Sequence, residues 1–429
     1  MLLTRPYQYQ LYELAHTALA PARALSDAAH FLFRNPFNPL SSTPIGRNIA
    51  AGAELFERMT RRYGKPLFGL DTIKVDDVEH EVLEEVIWTR PMCNLLHFVR
   101  PTVPGHEEQP KLLIVAPMSG HYATLLRGTV EEFLPTHRVF ITDWTDARMV
   151  PLAAGRFDLD TYIDYIREIL QALGPGVHTL GVCQPSVPLL AAVSLMEADN
   201  DPCAPISMTL MGGPIDTRKS PTAVNLLAEK RGVEWFRSNC LQTVPFPYPG
   251  FGRQVYPGYL QLSGFMAMNL DRHVNAHMEM FQHLVKDDGD SAEKHREFYD
   301  EYLAVMDLDA EYYMQTIETV FVKHQLPKGE MRHRGELVDP KAIRRCGLLT
   351  VEGEKDDISG IGQTFATHGL CPNVPAERKR HYEQAGVGHY GVFNGSKFRS
   401  EIAPRIKAFH ADMAARDGTW AGLSLVAAG

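Results

Sequence analysis

The sequence predicts an α/β fold, a mostly parallel sheet covered by helices, and three observations carry that prediction. Residues 111–116 (KLLIVA) and 139–142 (VFIT) are continuous apolar runs, the pattern of strands buried on both faces. After the second run, Leu159, Ile163, Ile166, Leu170 and Leu173 line one side of a helix that Gly174-Pro175 closes. Residues 178–181, a helix over 188–196 and a strand over 206–211 continue the alternation, and such a βαβ series calls for a parallel sheet with right-handed crossovers.

The elements follow in order from the start of the chain, which reads as helical. Tyr7, Leu11, Leu14 and Ala18 recur at spacings that line one face of a 3.6-residue period. This stripe either packs on the main domain or forms an amphipathic surface that docks on an apolar body, with Phe31-Leu32-Phe33 as its aromatic end. A second helix starts at Thr43-Pro44, a capping residue followed by proline at the first helical position, and stops at Gly64-Lys65-Pro66. From Ile73 the pattern changes to short β-like runs over 82–88 and 95–99. The later alternation breaks after Gly213 and resumes with strands at 347–352 (GLLTVE) and near 380–383. The stretch between, about 215–345, is rich in aromatic residues, Met and Pro and has a helix of its own over 271–285, so it reads as an inserted cap or lid. The expected division is a helical segment 1–70, a first core part 71–214, the cap 215–345 and a second core part 346–429.

A 429-residue chain with 45% hydrophobic and 22% charged residues can bury a large core, which excludes a disordered or collagen-like protein. The net charge of −9 and the absence of a Lys/Arg block interleaved with aromatics argue against nucleic acid as a partner. No window reaches the roughly 18 to 20 uninterrupted apolar residues of a transmembrane segment, and the chain is read as cytoplasmic. Six cysteines lie scattered without a C-x-x-C pair, so reduced thiols are expected. No cluster has metal-ligand spacing, and Gly250-Phe251-Gly252, with no strand before it, is not a dinucleotide fingerprint.

Chemistry concentrates at Gly181-Val182-Cys183-Gln184-Pro185, between an expected strand and an expected helix. That is the layout of the nucleophile elbow of the α/β-hydrolase fold, G-x-S-x-G in its common form, with a thiol in place of the hydroxyl. A helix N-terminus favours the thiolate of Cys183, and Gln184 keeps the backbone N–H that an oxyanion hole needs. Pro185 replaces the second glycine and falls where a helix's first turn has no use for an N–H. In this fold the acid and then the histidine follow the nucleophile. Asp356, just past the strand at 347–352, is the expected acid, with Asp357 competing for the role. His389, in Gly386-Val387-Gly388-His389-Tyr390-Gly391 past the last strand, is the expected base. The second oxyanion donor is expected from the loop Pro117-Met118-Ser119-Gly120-His121, from Met118 or else Ser119, since Pro117 has no N–H. His121 and Tyr122 either pack or touch substrate.

These motifs resemble the intracellular polyhydroxyalkanoate (poly-3-hydroxybutyrate) depolymerases, relatives of the polyhydroxyalkanoate synthases. The likeness runs from the helical start (YQLYELAHTALAP) through GVCQPSVP to VEGEKDDISGIGQT and GVGHYGVFNG. It implies Cys183 as nucleophile, Asp356 as acid and His389 as base, no resident cofactor, and action at the surface of cytoplasmic polyester granules. The synthase relatives carry G-x-C-x-G, so Pro185 leans toward a depolymerase, and the chain is short for a single-subunit synthase. The alternatives are a synthase-like acyltransferase, a small-ester or dienelactone-type hydrolase, and a granule-coating protein without catalysis. Coenzyme A as acyl acceptor and a homo-oligomer both stay open.

Overall fold

The computed structural model describes residues 8–268, 270–286 and 289–417. Its centre is an eight-stranded sheet of β1 (Leu83–Arg90), β2 (Cys93–Val99), β3 (Lys111–Val115), β4 (Arg138–Trp144), β5 (Val177–Val182), β6 (Ser207–Met211), β7 (Gly347–Gly353) and β8 (Lys379–Gln384). The spatial order is β1-β2-β4-β3-β5-β6-β7-β8. Strands β3 to β8 run parallel, and the hairpin β1-β2 joins antiparallel at the β4 edge. This is the predicted α/β-hydrolase arrangement.

The helices that cover the sheet behave as their patterns require. The stripe of α5 (Leu159–Leu173) is buried at Leu159, Ile163, Ile166 and Leu170, and Gly174 closes the helix at φ +72°. By contrast α6 (Ser186–Ala198) is apolar on all sides, and every residue from Ser186 to Glu197 is buried. It is the helix behind the elbow, and its burial fixes the strand-to-helix turn from both ends. A short helix α4 (Arg127–Phe133) precedes both.

Between β6 and β7 the chain leaves the sheet and builds α7 (Ala223–Cys240), α8 (Gly258–Met268), α9 (Leu270–Lys286), α10 (Gly289–Tyr302) and α11 (Ala310–Thr316). The N-terminal helices α1 (Gln8–Ala18), α2 (Ala20–Arg34) and α3 (Pro44–Thr60) attach to this cap, where Ala51 of α3 packs on Met280 and Leu284 of α9. Helix α3 starts where Thr43 predicts, its hydroxyl accepting the Gly46 N–H at 3.0 Å, and ends at Thr60, short of Gly64.

The stripe expected on the first helix needs correction. Tyr7 lies outside the described residues, as does the Phe265 side chain of the cap, while Leu11 and Leu14 are 51% and 65% exposed. Helix α1 instead docks by its tyrosines. Tyr9 is buried and its hydroxyl donates to Asp307 Oδ2 at 2.6 Å, and the Tyr12 ring stacks on Tyr259 with centroids 4.1 Å apart. A buried carboxylate partner outweighs the hydrophobic period here, because an unpaired buried carboxylate is costly.

At the edge of the sheet opposite the elbow, His137, His178 and His410 form a buried cluster. His137 Nε2 and His410 Nδ1 lie 3.1 Å apart, the His178 and His410 rings stack at 4.3 Å, and His178 Nδ1 meets Ser207 Oγ at 2.7 Å. Burial holds all three neutral: His178 is lowered to about 3, and His137 and His410 lie well below the ordinary value. Burial likewise lowers His97 and His121 to about 4. These groups are depressed in the folded state, so the stability they lend is present above pH 6.5 and is lost as pH falls toward 4. Each removes up to about 1.4 kcal/mol per pH unit in that window. The midpoint of urea unfolding is therefore expected to fall clearly from pH 7 to pH 5, whereas an unchanged midpoint would mean that these rings are not buried neutral.

Candidate active site

Register brings the expected residues to one edge. Val182 of β5 pairs with Met211 of β6, Met211 pairs with Val351 of β7, and Gly353 of β7 pairs with Gln384 of β8. The loops that follow, carrying Cys183, Gly212, Asp356 and His389, therefore leave the sheet side by side at its C-terminal edge.

Cys183 sits at the turn with φ +66°, the left-handed region that a non-glycine residue occupies only when its surroundings force it. Its N–H donates to the Met211 carbonyl at 2.7 Å, and its carbonyl accepts the Ser186 N–H at 3.0 Å. Close approach enforces glycine next door: a Cβ at Gly213 would lie 2.1 Å from Ser186 Oγ. Pro185 is the capping residue just before α6, with φ −55°, rather than a residue of the first helical turn as the sequence suggested. Its missing N–H costs nothing there either. Cys183 is half-buried, whereas Cys93, Cys346 and Cys371 are fully buried and burial pushes their thiols up, that of Cys371 to about 12.

His389 Nδ1 lies 2.8 Å from Asp356 Oδ2, and both side chains are buried. The other carboxylate oxygen, Oδ1, accepts the N–H groups of Ile358 at 2.9 Å and Ser359 at 2.8 Å, so the carboxylate is held on both sides. Asp357 is exposed, which leaves the position beside the imidazole to Asp356. Burial works against a charged His389, but the charges of Cys183 and Asp356, together with hydrogen bonds to both, outweigh it and hold the ring well above its ordinary value. The three side chains thus stand in the order Cys183, His389, Asp356. The loop behind them is pinned by buried Glu352, whose Oε1 accepts the N–H groups of Thr364 at 2.8 Å and Phe365 at 2.9 Å.

Gly212 is a site residue that reading the sequence missed. Its φ is +55°, and a Cβ there would stand 3.2 Å from His389 Cε1 and 3.3 Å from Asp356 Oδ2, so the His389–Asp356 pair packs directly on this backbone. The available signal was the Gly212-Gly213 pair at the end of a buried strand.

The loop after β3 is clamped by the cap. Gly120, at φ +107°, offers its carbonyl to Met306 N–H at 2.7 Å, and a Cβ on it would meet Gln261 Oε1 at 2.5 Å. His121, kept neutral by burial, reaches the Tyr302 carbonyl through Nε2 at 3.1 Å, and the Tyr122 hydroxyl donates to Asp146 Oδ2 at 3.3 Å. Of the two readings of His121 and Tyr122, packing is the one this geometry fits. Met118 is buried and Ser119 half-buried. Among the described residues, neither the Met118 nor the Gln184 N–H has a protein acceptor. Among the described residues, Gln184 Oε1 is buried without a hydrogen-bond partner.

Tyrosines also gather at this place. Tyr312 of α11 is buried, stacks on Tyr162 at 5.4 Å and contacts the Gln184 side chain, while Tyr390 follows His389 and adjoins Tyr302. A groove of about 450 Å³ is lined by Tyr302 and Tyr390 with Arg127, Glu131, Glu301 and Arg399.

No curated protein matches the chain. Solved structures similar to it include a hydrolase from Pseudomonas aeruginosa PA01, 12% identical with a TM-score of 0.45 over 76% of this chain and 97% of that one. A thermophilic esterase from Thermogutta terrifontis is 13% identical with a TM-score of 0.40 over 80% and 98%. The 2-hydroxy-6-oxo-6-phenylhexa-2,4-dienoate hydrolase from Rhodococcus sp. strain RHA1 is 11% identical with a TM-score of 0.42 over 77% and 99%. The family model described as PHB de-polymerase C-terminus matches residues 212–414, the stretch that holds Gly212, the cap, Asp356 and His389.

Proposed function

We propose that the protein is a depolymerase that hydrolyses main-chain esters of amorphous poly-3-hydroxybutyrate through a thioester on Cys183, at the surface of cytoplasmic polyester granules. The observation that carries this reading is His389, held by Asp356 at 2.8 Å on one nitrogen and hydrogen-bonded to Cys183, in a stretch that matches the PHB de-polymerase C-terminus model.

The thiolate sulfur of Cys183 attacks the ester carbonyl and forms a C–S bond, giving a tetrahedral oxyanion. The N–H groups of Gln184 and of Met118 or Ser119 hold that oxyanion, each worth roughly 3 kcal/mol. As the oxyanion collapses, the ester C–O bond breaks and His389 gives its proton to the departing 3-hydroxyl oxygen. His389 then takes a proton from water. The resulting hydroxide forms a C–O bond to the thioester carbon, the C–S bond breaks, and thiolate and imidazolium are restored with release of a 3-hydroxy acid. Asp356 supports the imidazolium throughout.

The test is release of 3-hydroxybutyrate species from amorphous poly-3-hydroxybutyrate granules by purified protein, with and without coenzyme A. Free acid or oligomers in both conditions is the expected result. Acyl-coenzyme A formed only with the cofactor would make the enzyme an acyltransferase, and no release in either condition would overturn the reading.

A further inference from the structure

Two buried carboxylates lie where the cap crosses the loop after β3, and the proposed chemistry uses neither. Asp146 and Asp307 are 5% and 3% exposed, and one guanidinium, that of Arg148, stands beside them. Arg148 Nε donates to Asp146 Oδ2 at 2.8 Å. Two carboxylates against one guanidinium would leave an excess negative charge in the interior, which is costly unless every oxygen is held. Burial, and then the charge of Asp146, raise the Asp307 carboxyl well above the ordinary carboxylate range.

The oxygens are held by segments far apart in the chain. Asp307 Oδ2 accepts the Tyr9 hydroxyl of α1 at 2.6 Å, and Oδ1 accepts the Gly258 N–H at the start of α8 at 2.9 Å. Asp146 Oδ1 accepts the Asp307 N–H at 3.2 Å, and its Oδ2 accepts the Tyr122 hydroxyl at 3.3 Å. The Asp307 carbonyl in turn accepts the Ala147 N–H at 3.1 Å. The first helix, the cap and two loops of the core thus meet on one acid pair.

The loop expected to carry the second oxyanion donor is stretched between this pair and the core. At its near end the Ala116 N–H donates to Thr142 Oγ1 at 2.9 Å, and the Ala116 carbonyl accepts the Trp144 indole N–H at 2.8 Å. At its far end the N–H of Met306, the residue before Asp307, donates to the Gly120 carbonyl at 2.7 Å, and Tyr122 reaches Asp146. Pro117, Met118 and Ser119 lie between the anchors, so where Gly120 is held decides where the Met118 and Ser119 N–H groups point. An oxyanion hole works only when its donors stand within hydrogen-bond distance of the developing charge.

We infer that Asp307, held by Tyr9, is a positioning residue that sets the oxyanion loop through Met306 and Gly120, and so makes the first helix part of the catalytic arrangement. This rests on the proposed Cys183 chemistry, and it adds what aims the second oxyanion donor.

The experiment measures kcat and KM for a soluble 3-hydroxybutyrate oligomer, per Cys183 that iodoacetamide can label, in Tyr9→Phe, Asp307→Asn and the double variant. Tyr9→Phe removes the hydroxyl donor and Asp307→Asn turns one of its two acceptors into a donor, each at nearly unchanged volume. Each is expected to lower kcat about tenfold or more with KM within about twofold, since the donors act on the transition state. The rate of Cys183 alkylation should stay within about twofold, because His389 and Asp356 stand on the loops after β8 and β7. The double variant is expected to lose no more than the worse of the two, as both substitutions act through one bond. Glu13→Gln, which breaks another tie of α1, the 2.6 Å ion pair with Arg62, is expected to leave kcat as it is. A merely structural role would lower the thermal midpoint and the count of labelled Cys183 but leave kcat per labelled thiol unchanged. That result, or losses that multiply in the double variant, would overturn the inference while native turnover stands. Native protein that leaves the oligomer uncleaved, or Cys183→Ala that cleaves it equally well, would sink the depolymerase reading and the positioning role with it.

Discussion

Cys183→Ala is expected to lower hydrolysis of amorphous poly-3-hydroxybutyrate by about 10⁴-fold or more while the protein stays folded. Removing a nucleophile from a unit of three leaves only what the oxyanion donors and binding supply, and losses of that order follow when such units are broken. The fold survives because the turn is fixed elsewhere. The Cys183 backbone is tied to Met211 and Ser186, and α6 is buried along its length. The thiol is also the expected site of inactivation by iodoacetamide. Burial raises the thiols of Cys93, Cys203, Cys240, Cys346 and Cys371, whereas Cys183 is half-buried at a helix start beside an imidazole. Peptide mapping after partial inactivation should find the label on Cys183 in proportion to lost activity.

Asp356→Asn is expected to reduce kcat by roughly 10³ to 10⁴-fold, and Asp357→Asn to change it by no more than about twofold. The carboxylate of Asp356 takes the Nδ1–H of His389 on one oxygen and two backbone N–H groups on the other, so an amide in its place must set an NH₂ against donors or against the ring. Either choice disturbs the tautomer that presents Nε2 to the thiol. Asp357 is exposed and carries no such contact to the ring. The sign of the accompanying pH effect is also fixed. Cys183 and Asp356 both raise His389, so the ring should titrate at lower pH in Asp356→Asn than in the native protein, as read from its C–H resonances. Equal kcat losses in the two variants would contradict the assignment.

Much of this arrangement is legible in the sequence. Continuous apolar runs locate the parallel strands and put Cys183, Asp356 and His389 each in the loop after one, where the structure sets His389 and Asp356 2.8 Å apart. The remainder depends on contacts between distant residues. The hydrophobic period on helix α1 points to the wrong face because it carries no record of Asp307, the buried carboxylate that Tyr9 reaches across the fold. The clamp of Met306, Tyr302 and Gln261 on Gly120 and His121 joins segments far apart in the chain, and nothing local announces it. Gly212 is read as one more strand-end glycine until the His389–Asp356 pair is seen packed on it.

The most direct measurement is rapid acid quenching of the native protein during turnover of a 3-hydroxybutyrate oligomer, followed by mass mapping of its peptides. A 3-hydroxybutyryl adduct on the Cys183 peptide, released by neutral hydroxylamine and absent from Cys183→Ala, is the predicted result. Undiminished hydrolysis by Cys183→Ala, or an adduct on any other residue, would contradict a thioester mechanism at this elbow.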